Sequence, residues 1–313
     1  MSIEISQQQT VERLRELDDI LVLMHKNPDG DTLGSGYALC EAMRRMGKRI
    51  NAWCDSPIPN RFEYLVQDYK DLDFTPSVLI SVDVADQMLL GEPYRNKTID
   101  LAIDHHPSNT GFAQYLYCKP DSSSNCEIMT GIIDQLPVEI DLYIATCLYT
   151  GITTDTGCFR YTNTTSQSLR MAARMMDIGV ESGMLNRQLF EMKTRGRVEL
   201  EQLAMSGIEY SHKGRIAFMT ITRDMLRSTQ VDPADIEGIT AMPRNIEGVE
   251  VGVTLRELDN GNYKISLRTV RTNAAQICAA FGGGGHKRAA GFECSGTLFD
   301  IKVAIVSEIE KVL

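Results

Sequence analysis

The sequence predicts an α/β protein: a mainly parallel sheet covered by helices over residues 1–185, a helical linker over 186–205, and a smaller α+β domain over 206–313. Three observations predict it. Strand-length apolar runs alternate with helical patterns from Val11 to about Val138, and a helical stretch without strands follows from Ser166 to about Met205. Beyond that stretch, strands come in succession and two are joined by a tight-turn signal. Strand–helix alternation argues for parallel pairing with both sheet faces covered, whereas strands joined by a short turn pair antiparallel. A chain of 313 residues has room for two such cores.

Element by element, the apolar run Ile20–Met24 is too short for a helix and is assigned as a buried strand leading into a helix over Leu33–Met46. Ile50–Trp53, Val78–Val82, Ile99–Ile103 and Tyr115–Cys118 are further strands, followed by helices over Ser124–Gln135 and Ile140–Tyr149. The helical stretch from Ser166 is weakly broken at Gly179, Gly183 and Gly196. Strands then come at Gly207–Tyr210, Arg215–Ile221, Val249–Leu255 and Tyr263–Val270. Asp259-Asn260-Gly261-Asn262 makes the last pair a hairpin.

The chain carries 42 acidic against 32 basic residues, a net charge of −10, which argues against coating long nucleic acid, so no binding of long duplex DNA is expected. A small anionic substrate stays compatible, because bound metal would neutralise several carboxylates. The longest apolar runs are strand-length, so no membrane span is expected. Met-Ser-Ile-Glu-Ile-Ser-Gln has neither the basic start nor the apolar core of a signal peptide. Eight cysteines scattered without CxxC pairs fit free thiols in a reducing cytoplasm.

The chemistry-bearing residues fall into short clusters: His25-Lys-Asn-Pro-Asp29-Gly-Asp31, Asp83, and Asp104-His105-His106, with Asp155 in Gly-Ile-Thr-Thr-Asp-Thr-Gly. His25, Asp83 and Asp104 each come directly after a strand run, and the carboxyl edge of an open parallel sheet is where ligands bind. Pro28 is expected to end strand pairing, and Gly30 to let the backbone turn so that Asp29 and Asp31 converge. Asp29, Asp31, Asp83 and Asp155 would carry about four negative charges, which match two divalent cations. Imidazole mixed with carboxylate suits Mn²⁺ or a similar ion, and a pair of such ions is what phosphate-ester hydrolysis needs. An Asp-Gly-Asp by itself is more often a turn or helix cap, a His-His pair is commonly structural, and Asp155 among threonines could cap a helix. Their joint occurrence outweighs those separate readings. A calcium loop starting at Asn27 is excluded by Thr32 and Ala38, which stand where glycine and glutamate are needed. Gly34-Ser-Gly36 lacks the third glycine of a dinucleotide fingerprint.

In order and spacing these residues resemble the DHH phosphoesterase superfamily, named for the triplet Asp104-His105-His106. The run Phe281-Gly-Gly-Gly-Gly-His286-Lys-Arg-Ala-Ala-Gly291 looks like the signature of its C-terminal DHH-associated domain. His25 and the compact length resemble the subgroup that hydrolyses short oligoribonucleotides and dephosphorylates 3′-phosphoadenosine 5′-phosphate. The resemblance implies one ion on His25, Asp29 and Asp83, and a second on Asp31, Asp83, His105 and Asp155, with Asp83 shared. It further implies that His106 faces the phosphate, that Asp104 orients its neighbours, and that Arg268 and His286 contact substrate. Gly283, Gly284 and Gly285 leave backbone N–H groups open to a phosphate or base, with Arg268 and Arg271 nearby. A short substrate held between the two domains is expected, and homodimerisation is left open.

Competing functions share part of this pattern. A cyclic or linear diadenylate phosphodiesterase would use the same chemistry with a different pocket. A processive single-strand exonuclease needs an extended basic stacking groove, which an acidic chain with one Trp does not promise. Polyphosphate or pyrophosphate hydrolysis would need no glycine-rich nucleotide domain. A non-catalytic nucleotide sensor is the reading from another class, and sensors descended from enzymes usually lose a ligand.

Overall fold

In this computed structural model, residues 2–231, 236 and 238–313 are described. The chain divides into two compact units, Met1–Met192 and Lys193–Leu313.

The first unit is built on strands β1 (Ile3–Glu4), β2 (Ile20–Leu23), β3 (Ile50–Trp53), β4 (Val78–Val82), β5 (Leu101–Asp104) and β6 (Tyr115–Cys118). They form one sheet in the order β1-β6-β5-β4-β2-β3, every pair parallel. Its helices are α1 (Gln7–Glu16), α2 (Gly30–Arg45), α3 (Asn125–Ile133), α4 (Leu142–Asp155), α5 (Ser166–Ile178) and α6 (Ser182–Asn186). Alternation along β2 explains the two layers. Ile20 and Val22 face a large core that includes Leu33, Leu39 and Met43 of α2 with Cys147 and Leu148 of α4, while Leu21 and Leu23 face a smaller one with Val84, Leu90 and Ile99. The two-residue β1, which no sequence pattern announced, is held by parallel pairing of Ile3 with Tyr115.

Two boundaries differ from expectation in ways that matter for the site. Helix α2 begins at Gly30, because Asp29 caps it by accepting from the N–H groups of Asp31 (3.0 Å) and Thr32 (3.1 Å). Gly30 therefore does not make a turn. Its lack of a side chain permits close packing, since a Cβ there would lie 2.4 Å from Thr154 Oγ1. Helix α4 runs on to Asp155, which is thus delivered by a helix end rather than by a strand.

The second unit contains α7 (Arg195–Ser206), β7 (Glu209–Ser211), β8 (Ile216–Ile221), α8 (Arg223–Thr229), β9 (Val251–Glu257), β10 (Tyr263–Thr269), α9 (Ala274–Ala279), β11 (Gly284–His286), β12 (Ala289–Cys294) and α10 (Leu298–Glu310). Its sheet has the order β11-β12-β10-β9-β8-β7, with β8 and β9 parallel and the other pairs antiparallel. The hairpin expected at Asp259–Asn262 joins β9 to β10, with Gly261 at φ +81° in the turn. One face of the sheet packs Val251, Val253, Ile265 and Leu267 against Ile277 of α9 and Ile301 and Ile305 of α10. The other packs Met219 and Ile221 against Leu200 and Ala204 of α7. Among the described residues no helix is long and apolar enough to cross a membrane.

Candidate metal centre

Strands β5, β4 and β2 are neighbours and parallel, so their carboxyl ends open on one edge. From β2 the chain goes to β3 on one side and returns to β4 on the other, which makes the β2/β4 boundary a topological switch point. His25 lies two residues beyond β2, Asp83 directly follows β4, and Asp104 is the last residue of β5, with His105 and His106 next. Asp29 and Asp31 enter from the start of α2, and Asp155 from the end of α4.

These side chains are brought together. His25 Nε2 is 3.8 Å from Asp29 Oδ1 and 3.7 Å from Asp83 Oδ2. His105 Nε2 is 3.4 Å from Asp83 Oδ1 and 3.8 Å from both Asp31 Oδ2 and Asp155 Oδ2. Three groups have donor atoms close enough to share an ion: His25, Asp29 and Asp83; Asp31, His105 and Asp155; and Asp83, His105 and His106. The other ring nitrogen fixes each imidazole. His25 Nδ1 lies 3.0 Å from the Lys26 carbonyl and His105 Nδ1 lies 3.4 Å from that of Ser122. An Nδ1–H donated to either carbonyl leaves Nε2 as the lone-pair atom turned toward the carboxylates, the tautomer a metal ligand needs.

Electrostatics make the cluster unfavourable by itself. Burial, followed by Asp31 and Asp29, pushes the Asp83 carboxyl well above its ordinary pKa. Burial and Asp31 push Asp155 up to about 7. For His25, burial works against the charged form, but Asp29 and Asp83 outweigh it and raise the imidazole to about 9. Asp83 is 3% exposed, and its Oδ1 is a buried oxygen with no hydrogen-bond donor. It also sits at φ +59°, a strained backbone for a non-glycine residue. Oxygen and imidazole donors crowded around such an orphaned oxygen fit divalent cations, which would offset the repulsion.

Asp104 is built differently. Its Oδ1 accepts from the backbone N–H groups of His105 (2.8 Å) and His106 (3.2 Å) and from His106 Nδ1 (2.8 Å), and its Oδ2 accepts from Asn109 Nδ2 (2.6 Å). Burial opposes its ionisation, yet these donors outweigh burial and hold the carboxyl below its usual range. With both oxygens spent, Asp104 aims His106 and leaves Nε2 of that ring as the free end.

Sequence patterns gave no sign of Asn125, the first residue of α3. It is fully buried. Its backbone N–H donates to Asp31 Oδ2 (2.6 Å), and the next N–H, of Cys126, donates to Asp31 Oδ1 (2.8 Å). With its amide turned to satisfy both ends, Nδ2 donates to the Ile103 carbonyl (3.2 Å) while Oδ1 accepts from Ser35 Oγ (3.0 Å) and the Asp83 N–H (3.3 Å). One side chain thus ties β4, β5 and α2 together behind the cluster. Asn125→Ala is expected to weaken Mn²⁺ binding about 10- to 100-fold by calorimetry while far-ultraviolet dichroism is retained. Unchanged affinity would remove this positioning role.

The remaining candidates lie in the second unit. Arg268 is on β10, in register with Gly252 of β9 and Ala289 of β12. Gly283 precedes β11, while Gly284, Gly285 and His286 form this edge strand rather than a loose turn. The glycines are not equivalent. A Cβ at Gly283 would lie 2.3 Å from the Gly291 carbonyl, and Gly285 is at φ +140°, so the hairpin itself demands both. Gly284 has nothing within 4 Å of a Cβ position and is not constrained by packing. Arg271 lies beyond β10, in a turn held by Glu250 through its own N–H (2.6 Å) and that of Thr272 (2.8 Å).

Comparison with known proteins gives the same division. Residues 19–152 match the model of the DHH family, N-terminal domain, and residues 214–311 match the DHHA1 domain. A protein of Thermus thermophilus named bifunctional oligoribonuclease and PAP phosphatase NrnA is 32% identical over 90% of this chain and 86% of its own length. A Bacillus subtilis protein of the same name is 25% identical, over 88% of each chain. The crystal structure of an exopolyphosphatase-related protein from Bacteroides fragilis superimposes with a TM-score of 0.88 at 23% identity, covering 97% of this chain and 96% of that one. RecJ from Thermus thermophilus in complex with Mn²⁺ matches with a TM-score of 0.58 at 13% identity, over 98% of this chain and 55% of that one. Sequence, fold and the gathered acids and imidazoles agree: the chain belongs to the DHH family and carries the DHHA1 domain at its C-terminal side.

Proposed function

We propose that this protein is a two-metal phosphoesterase that degrades short oligoribonucleotides to mononucleotides and removes the 3′-phosphate of 3′-phosphoadenosine 5′-phosphate. The observation that carries the reading is Asp83, whose two carboxylate oxygens face separate imidazoles: Oδ2 faces His25 and Oδ1 faces His105. His25, Asp29 and Asp83 would hold one ion, and Asp31, Asp83, His105 and Asp155 the other, with Mn²⁺ the best match to a mixed imidazole–carboxylate set. Two bound divalent ions supply Lewis acidity and lower the pKa of water, which is the chemistry of phosphate-ester hydrolysis. The names of the relatives from Thermus thermophilus and Bacillus subtilis support the substrate pair. Eight unpaired thiols suit a cytoplasmic enzyme.

The chain's own side chains have separable tasks in this scheme. His106, whose Nδ1–H donates to Asp104, presents Nε2, which as the imidazolium would donate to a phosphoryl oxygen or the leaving group. Arg268 and the exposed His286 would take a phosphate or base, and Gly284, free of any packing demand, lets the backbone of the edge strand approach the ligand.

The test pairs phosphate release from 3′-phosphoadenosine 5′-phosphate with mononucleotide release from a labelled diribonucleotide, both with Mn²⁺. Turnover of both substrates is expected; tight binding with neither product would replace the enzyme with a nucleotide sensor. His286→Ala should raise KM for the dinucleotide at least about tenfold, as loss of a charge-assisted or stacking contact does, with Mn²⁺ affinity unchanged. Equal KM values would free His286 of that role.

A further inference from the structure

A basic cavity lies within the C-terminal unit; its lining includes none of the metal-ligand candidates and none of Gly283, Gly284, Gly285 and His286, and shares Arg271 with the substrate contacts expected from the sequence. It has a volume of about 630 Å³ and is lined by Arg215, Arg244 and Arg271, with Val249, Val270 and Val312 among its apolar wall. Three guanidiniums on one concavity are unusual in a chain of net charge −10. No carboxylate forms a short ion pair with any of the three among the described residues. The nearest approach is Arg271 Nε to Glu250 Oε2 at 3.9 Å, and Arg244 reaches only the Asn245 side-chain oxygen at 3.3 Å.

Glu250, the acidic side chain within the wall, is already committed. It is 9% exposed, and Oε1 accepts from the N–H groups of Arg271 and Thr272 and from Thr272 Oγ1 (2.9 Å). The turn that carries Arg271 is stapled again at Thr272, whose carbonyl accepts from Thr269 Oγ1 (2.6 Å) and Arg288 Nη1 (3.0 Å). The turn carrying Arg244 is equally fixed, for it lies on β9 so closely that a Cβ at Gly252 would be 2.4 Å from Arg244 N. The backbone of both turns is thus fixed, while the Arg271 side chain itself is 89% exposed.

The geometry points to a second ligand site here, for a nucleoside monophosphate or an organic phosphate of that size. Guanidinium forks match phosphate oxygens two at a time. The volume falls in the range of small-molecule pockets and is far larger than one phosphate needs. The valine wall gives a base or sugar somewhere apolar to rest. This site does not depend on the proposed hydrolysis, because occupancy is read by binding alone.

Equilibrium dialysis of labelled adenosine 5′-monophosphate against the full chain with saturating Mn²⁺ tests it. Two molecules per chain are expected for the wild type. Arg215→Ala/Arg244→Ala should bind one, with dinucleotide turnover within about twofold of wild type, because neither residue belongs to the hydrolytic machinery. His286→Ala should keep the cavity's molecule. A double variant that binds as many molecules as the wild type overturns the inference, whether or not the metal centre holds one of them. Collapse of turnover in the double variant would assign the cavity to the catalytic substrate instead and equally overturn a separate site. Inorganic phosphate that displaces the nucleotide from the cavity at matched concentration would reject the nucleotide-sized assignment.

Discussion

Asp83→Asn is expected to lower kcat/KM by more than about 10³-fold, the equivalent of several kcal/mol of transition-state stabilisation, and to do so more completely than change at any other cluster residue. The reason is geometric: Asp83 is the carboxylate that faces both His25 and His105. The same variant should be more stable than the parent when metal is removed. Burial and two neighbouring carboxylates disfavour the charge on Asp83, and an amide removes that charge. A gain of about 1 kcal/mol is expected at pH 8 in chelator, seen as a raised Tm. Near-normal turnover in Mn²⁺ would end the shared-ligand scheme. A lowered Tm in chelator would show instead that Asp83 contributes to the fold through its charge.

Metal should stabilise the protein more strongly as pH rises. Asp155 has a folded pKa of about 7 against an ordinary 3.8. Such a raised group stabilises the metal-free fold fully below its unfolded pKa, and that contribution is lost as pH rises through about 7. His25, raised from 6.5 to about 9, behaves alike, its contribution being lost between those values. The metal-free Tm should therefore fall between pH 5.5 and pH 8. Ion binding runs the other way, because ligands must be deprotonated to coordinate. At pH 8 and a Mn²⁺ concentration about 100-fold above Kd, Tm should rise by roughly 5–10 °C over chelator, with less than about half that rise at pH 5.5. A shift that is flat or shrinks with pH would contradict the electrostatics of the cluster.

The parts of the molecule legible in the sequence were those set by local pattern. Ile20–Leu23, Ile50–Trp53 and Val78–Val82 lie in short, largely apolar runs, and each became a strand at or within one residue of the expected limits. The residues at or just beyond the ends of β2, β4 and β5 were legible for the same reason, since the end of a strand fixes the sheet edge at which the next side chains emerge. Asp-Gly-Asp carries the same composition whether it turns or caps, so the start of α2 at Gly30 was not legible. Asp155 had no strand before it to betray its direction. Strand β11 is glycine-rich, with little intrinsic preference for extended structure, and its pairing with β12 supplies what propensity does not. Asn125 was invisible because its partners, Asp31, Ser35, Asp83 and Ile103, are far away along the chain and leave no periodic trace.

The double attachment of Asp31 has a practical consequence for anyone who wants a catalytically silent form of this protein. Both its oxygens already hold the leading N–H groups of α3, so truncating it also strips that helix of its anchor and opens a void in a fully enclosed region. Loss of turnover in such a mutant would mix lost coordination with loosened architecture. A silent enzyme for trapping bound RNA, or for a cellular control, is better made at Asp83, where an amide of the same shape fills the same space.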